Sequence, residues 1–158
     1  MQLKNVKKFL DKMETIEIYQ KTILDHSKNP ENFKILKPCT HHAKANNPLC
    51  GDKVEIFTNI SNDEIAKNIT FQGKGCAISI ASASILTKVL VNKKLKDSNI
   101  ILANFINMVE NKEFSFDFVS EHERRLLMTF SEIKKFPMRF KCATMSWSTF
   151  QDAINYDN

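Results

Sequence analysis

Three glycines are all this chain of 158 residues contains, and each lies within three residues of a cysteine. They occur as Leu49-Cys50-Gly51-Asp52 and Gly73-Lys74-Gly75-Cys76. At ordinary usage a chain of this length carries roughly 11. A sequence that spends almost no glycine elsewhere keeps it at two thiol-bearing turns. Glycine is the residue that lets a backbone turn tightly or approach another group closely. Any fold proposed for this chain must therefore bend at residues 50–52 and 73–76.

Hydrophobic patterning supplies the elements around those bends. Ile16, Tyr19, Ile23 and Leu24 recur at helical spacing between Thr15 and Ser27, and Pro30 marks the end of that helix. Residues 28–42 read as loop, and Ala43–Asn47 as a short edge strand. Val54–Ile60 is rich in β-branched residues, Ser61-Asn62-Asp63 is a turn signal, and Ile65–Phe71 alternates with period two. These segments predict a small antiparallel sheet of three strands.

After Cys76 the period becomes helical. Ile78, Ala81, Ile85 and Val89 share one face, and Lys93 and Lys94 suit the negative end of that helix. Asp97 or Ser98 is expected to cap a second helix bearing Ile101, Leu102, Phe105, Ile106 and Val109. Phe114, Phe116 and Phe118 alternate, as in a short strand or extended loop. Ser120–Glu123 matches a capping box opening a helix with Leu126, Leu127, Phe130 and Ile133. Pro137 separates it from a last helix carrying Ala143, Trp147, Phe150 and Ile154. The order gives an α+β fold: a three-stranded antiparallel sheet packed against several helices. Residues 13–158 form a single domain, and residues 1–12 an N-terminal extension, with Met13 an alternative start.

Composition narrows the function classes. The formal net charge is +5, but the basic residues are 20 Lys against 3 Arg. That imbalance suits an AT-rich codon bias better than a phosphate-binding surface, where Arg is the better fork. No nucleic-acid partner is expected. No apolar run reaches the ~18 residues of a membrane span, so no membrane partner is expected either. The basic start lacks the apolar stretch of an export signal. The expected compartment is the reducing cytoplasm, where four cysteines point to free thiols, metal ligands or reactive thiols rather than disulfides.

Cys50 and Asp52 flank Gly51 and can converge on one point. Cys76 opens a helix, whose N-terminus favours a thiolate. Cys142 follows Lys141 and lies near Arg139, whose charges act in the same sense. Cys50, Asp52, Cys76 and Cys142 would make a site of three sulfurs and one oxygen, where structural zinc sites use Cys and His alone. A single carboxylate among thiolates suits a site that exchanges ligands. The competing arrangement is an all-cysteine site that includes Cys39 and omits Asp52. His41-His42 reads as an exposed loop pair and His26 as a C-terminal cap. Ser79, Ser82 and Ser84 read as small residues for close packing on the sheet, and Met138, Met145 and Trp147 as core.

These residues carry a family resemblance. Ile23-Leu24-Asp25-His26-Ser27-Lys28-Asn29-Pro30, Asn47-Pro48-Leu49-Cys50-Gly51-Asp52, Phe71–Ser79, Ala81–Ser84 and Arg139–Trp147 stand in the order found in the NifU/IscU-type iron–sulfur cluster assembly proteins. The chain resembles their SufU branch most. IscU-type members carry His immediately before the third motif cysteine, where this chain has Lys141. The long segment between Cys76 and Cys142 also resembles SufU, whose insertion would fall around residues 105–125. The chain departs at Ser27, where Tyr is usual, and at Glu31 and Lys34 after the Asn-Pro pair.

The resemblance implies zinc on Cys50, Asp52, Cys76 and Cys142, with Gly51, Gly75, Arg139 and Lys141 in support. It implies a zinc-dependent sulfurtransferase that takes persulfide sulfur from a pyridoxal-phosphate cysteine desulfurase of the SufS type. Cys50 would be the acceptor, and a downstream iron–sulfur scaffold or apo-proteins would receive the sulfur. The alternative is a scaffold that assembles a transient [2Fe–2S] cluster, or holds iron, on the same ligands.

Overall fold

A computed structural model describes residues 2–155. Helix α1 (Gln2–Lys28) leads into strands β1 (His41–Asn47), β2 (Asp52–Ile60) and β3 (Ala66–Lys74). Helices α2 (Ala77–Leu90), α3 (Leu95–Val109), α4 (Glu121–Met128) and α5 (Phe140–Asn155) follow, with short 3₁₀ turns at Ser131–Lys135 and Pro137–Arg139. The sheet is antiparallel in the order β1-β2-β3, with β2 central. The α+β reading and its three-stranded sheet hold.

Several boundaries differ from the sequence reading. Helix α1 runs unbroken from Gln2, so residues 1–12 are, from Gln2 on, the first turns of the helix expected at Thr15–Ser27. Periodicity underweights that stretch because none of its side chains is buried. Strand β1 begins at His41, which places His41-His42 in a strand; the His42 ring stacks on Phe57 across the β1–β2 pair. Helix α3 starts after Lys94, and neither Asp97 nor Ser98 caps it. Helix α4 stops at Met128, so Ile133 belongs to the following 3₁₀ turn. The Ser120–Glu123 capping box forms with both of its hydrogen bonds. Among the phenylalanines of the 114–118 stretch, which is no strand, only Phe116 is buried.

The core lies where α2, α3 and α5 cover one another and the sheet. Trp147, Phe71, Phe105, Phe130 and Phe150 are its largest fully buried side chains, and the Phe105 and Trp147 rings stack with centroids 4.1 Å apart. Met145 is buried as expected, but Met138 is 93% exposed because it sits in the 3₁₀ turn between Pro137 and Arg139, outside any packed helix.

The small residues of α2 do more than permit close approach. Ser82 donates to the Ala143 carbonyl at 2.5 Å and accepts from Trp147 Nε1 at 2.9 Å, which ties α2 to the first turns of α5. Ser84 Oγ accepts from the Glu31 amide at 2.8 Å and lies 2.7 Å from His26 Nδ1. His26 therefore joins α1 to α2 instead of capping its own helix. Burial first, then the Lys88 charge, pulls its pKa down.

Ser82→Ala leaves the buried Trp147 indole N–H without an acceptor and removes the side-chain bond to the Ala143 carbonyl. It should destabilise the fold by about 1–3 kcal/mol. Urea unfolding should show this as a lower midpoint with an unchanged slope.

Candidate metal centre

Three bends in the backbone deliver the site. Strand β1 ends at Asn47 and β2 begins at Asp52, paired in register with one another. The turn between them is closed by Gly51 N–H donating to the Asn47 carbonyl at 2.8 Å and Leu49 N–H donating to Asn47 Oδ1 at 3.2 Å. Gly51 holds φ at +71°, where a side chain costs about 1–2 kcal/mol. This turn lifts Cys50 into solvent and sends Asp52 inward, only 1% exposed.

Gly75 serves a different need. A Cβ there would collide with the Asp52 carboxylate, reaching 2.8 Å from its Cγ. Gly73 is bare because a Cβ would strike the Lys53 carbonyl across the β2–β3 pair. Of the three glycines, one makes the turn, one clears room for the carboxylate and one lets two strands approach.

Cys76 stands at the N-cap of α2. Its amide donates to Asp52 Oδ1 at 3.0 Å, so the buried carboxylate satisfies a helix-end N–H that would otherwise be orphaned. The other oxygen, Oδ2, faces sulfur: Cys50 Sγ donates to it at 3.1 Å, and Cys76 Sγ lies 3.8 Å away. Cys142 is the third residue of α5 and is 1% exposed. Its Sγ is 3.8 Å from that of Cys50.

Donor atoms of Cys50, Asp52 and Cys142 all lie within 4.8 Å of one another, and Cys76 stands beside them against Asp52. The donor set is soft thiolate plus one carboxylate oxygen, which suits zinc or iron. The N-terminal ends of α2 and α5 both point at it and favour anionic sulfur.

Burial first, then the neighbouring Cys76 sulfur, pushes the Cys142 thiol up to about 12. The Arg139 guanidinium near Cys142 opposes this, and the cysteine sulfurs, Cys142 first, raise its own pKa above the ordinary range. The charge expected near Cys142 is thus supplied by Arg139. Lys141 is exposed and makes no hydrogen bond or ion pair among the described residues.

Cys39 is remote. It precedes Thr40, whose amide bonds to Thr58, six residues along β2 from Asp52 and so roughly 20 Å away. The topology rules out the all-cysteine site. All four cysteines are free thiols. The sequence reading did not find the joint role of Asn47 in the Cys50 turn, nor Ser82 as the tie behind Cys142. The Asn-Pro before Leu49-Cys50 was the only available signal for the first.

Residues 18–115 match the family model described as the NifU-like N-terminal domain. The chain belongs to that family. It is 34% identical over 137 residues to the zinc-dependent sulfurtransferase SufU of Bacillus subtilis, covering 87% of this chain and 89% of that protein. It is 31% identical, again over 87% of this chain and 82% of the relative, to the iron–sulfur cluster assembly scaffold protein IscU of Streptococcus pyogenes. A SufU-type structure from Fervidobacterium islandicum superposes with a TM-score of 0.76 at 28% identity, covering 85% of this chain and 94% of that one. A NifU-like N-terminal domain from Brucella abortus shares the fold, with a TM-score of 0.74 at 20% identity, over 87% and 92%.

In the metal-free chain at pH 8, alkylation followed by mass spectrometry should label Cys50 first and Cys142 last. Burial and a pKa near 12 both protect Cys142. Equal rates for the two would contradict this geometry.

Proposed function

We propose that this chain works in iron–sulfur cluster assembly as a zinc-holding sulfur acceptor. Family membership carries the place in cluster assembly. One observation supports the acceptor role: Cys50 is exposed while the groups it converges on, Asp52 and Cys142, are buried. The sulfur that can leave the cluster is the one a partner can reach.

In this reading Cys50, Asp52, Cys76 and Cys142 hold zinc, which keeps the thiols ionised at neutral pH. Asp52 contributes Oδ2 while Oδ1 stays on the Cys76 amide. Arg139 supplies positive charge at Cys142. The donor is a pyridoxal-phosphate cysteine desulfurase of the SufS type, and the setting a reducing cytoplasm.

The Cys50 thiolate attacks the outer sulfur of the desulfurase persulfide. One S–S bond forms to Cys50, the donor's S–S bond breaks, and the donor cysteine leaves as thiolate. No oxidant or reductant enters. Delivery to a downstream scaffold or apo-protein repeats the same exchange.

A second reading, a scaffold building a transient [2Fe–2S] cluster on the same residues, draws on the likeness to the Streptococcus pyogenes scaffold protein. Lys141, where IscU-type members carry His, favours the sulfur-acceptor reading.

The zinc-loaded chain should stimulate sulfide production by its cognate desulfurase from cysteine in the presence of a thiol reductant. Cys50→Ala should reduce that stimulation to background with the thermal midpoint nearly unchanged. Full stimulation by Cys50→Ala would exclude Cys50 as acceptor.

A further inference from the structure

Two sulfurs of the cluster are in contact, and only one of them is open to solvent. Cys50 Sγ lies 3.8 Å from Cys142 Sγ, and both residues are free thiols. Cys50 is exposed on the turn before β2, while Cys142 is 1% exposed at the start of α5. A disulfide needs its sulfurs at about 2 Å. Closing that gap falls to Cys50. Its sulfur bonds to Asp52 Oδ2 at 3.1 Å and makes no hydrogen bond to backbone among the described residues. Cys142 is fixed from behind, because the carbonyl of the next residue, Ala143, accepts from the buried Ser82 hydroxyl.

The other two cysteines are placed differently. Cys76 meets the cluster through Asp52 Oδ2, 3.8 Å from its sulfur. Cys39 lies at the far end of the sheet, beside Thr40 and Thr58. An oxidant arriving from solvent therefore reaches Cys50 before Cys142, and the sulfur nearest to the oxidised Cys50 is that of Cys142.

We propose that the metal-free chain carries a redox switch, in which hydrogen peroxide joins Cys50 to Cys142 in a disulfide that closes the site to zinc and to incoming sulfur. The bond itself rests on the placement of the two thiols; its consequence rests on the sulfur-acceptor reading. In the first step the Cys50 sulfur attacks one peroxide oxygen. An S–O bond forms, the O–O bond breaks and water leaves, so Cys50 becomes a sulfenic acid. In the second step the Cys142 sulfur attacks Cys50 Sγ. The S–S bond forms, the S–O bond breaks, and a second water carries away the Cys142 proton. Two thiols and one peroxide thus give one disulfide and two waters. Contact between the two sulfurs makes the second step intramolecular and fast.

The disulfide takes two of the four proposed ligands, the acceptor among them. Asp52 and Cys76 alone fall short of a tetrahedral site. In the zinc-loaded chain both sulfurs would be ligands, so the switch belongs to the metal-free state. The test treats the full-length, metal-free chain with hydrogen peroxide, alkylates it and maps it by peptide mass spectrometry without reduction. The expected product is a cross-linked pair of peptides bearing Cys50 and Cys142, lighter than their sum by the two thiol hydrogens, with Cys39 and Cys76 alkylated. The oxidised chain should lose its zinc uptake, and dithiothreitol should restore it. Cys39→Ser and Cys76→Ser should retain the cross-link. Cys142→Ser should replace it with a sulfenic acid on Cys50, trapped by dimedone. The zinc-loaded chain should form less of the cross-link at the same peroxide dose.

Cys142 left as a free thiol after peroxide, or Cys50 paired instead with Cys76, with Cys39 or with a second chain, would overturn the proposal. A Cys50–Cys142 bond with zinc uptake unimpaired would overturn the switch and the ligand set together. The bond formed in a chain that takes up no zinc even when reduced would overturn the zinc reading and leave the cross-link standing.

Discussion

The Asp52 carboxylate is the tie on which the site depends. It is buried at the start of β2, yet one oxygen answers the helix-end amide of Cys76 and the other faces the sulfurs. A buried carboxylate is costly unless paired, so its two oxygens need these partners. In meeting that need the carboxylate joins the β1–β2 turn to the N-terminus of α2. The bare Gly75 and the positive φ of Gly51 are what the surrounding backbone must accept for it to sit there.

The second half of the site is delivered by packing rather than by a turn. Cys142 reaches the cluster because α5 lies on α2, and Ser82 fixes that contact by holding both the Ala143 carbonyl and the Trp147 indole. Two helix N-termini thus meet at the end of a sheet, and their partial positive charges converge where thiolates are wanted. The exposed sulfur, Cys50, sits on a turn that leads to the buried carboxylate. That division between buried anchors and one exposed thiol is what makes sulfur transfer a better use of the site than a purely structural metal.

Much of this was legible in the residues. Alternation at 54–60 and 65–71, helical spacing after Cys76 and the capping box at Ser120 each follow from local rules, and they gave the sheet and most of the helices. The three glycines located two of the three segments that meet at the candidate site, because close approach and unusual φ leave a mark on composition. Other features left none. Met138 looked like core because its apolar character is visible in sequence, while its place in a 3₁₀ turn is decided by Pro137 and the packing around it. Residues 1–12, expected as an extension, are from Gln2 on the start of α1, where every side chain is exposed and nothing local marks a packed face. Cys39 could be dismissed only once β1 and β2 set it at the far end of the sheet. Arg139 and Lys141 are both basic neighbours of Cys142 in sequence, and the fold couples the Arg139 charge to the cysteine sulfurs.

The claim that Cys50 receives the sulfur is tested most directly by locating it. The zinc-loaded chain is mixed with its cognate desulfurase and cysteine without a thiol reductant, trapped by alkylation, and mapped by peptide mass spectrometry. The account predicts one added sulfur on the peptide bearing Cys50, and none on those bearing Cys39, Cys76 or Cys142. Added sulfur on Cys76 or Cys142 with Cys50 unmodified would contradict it.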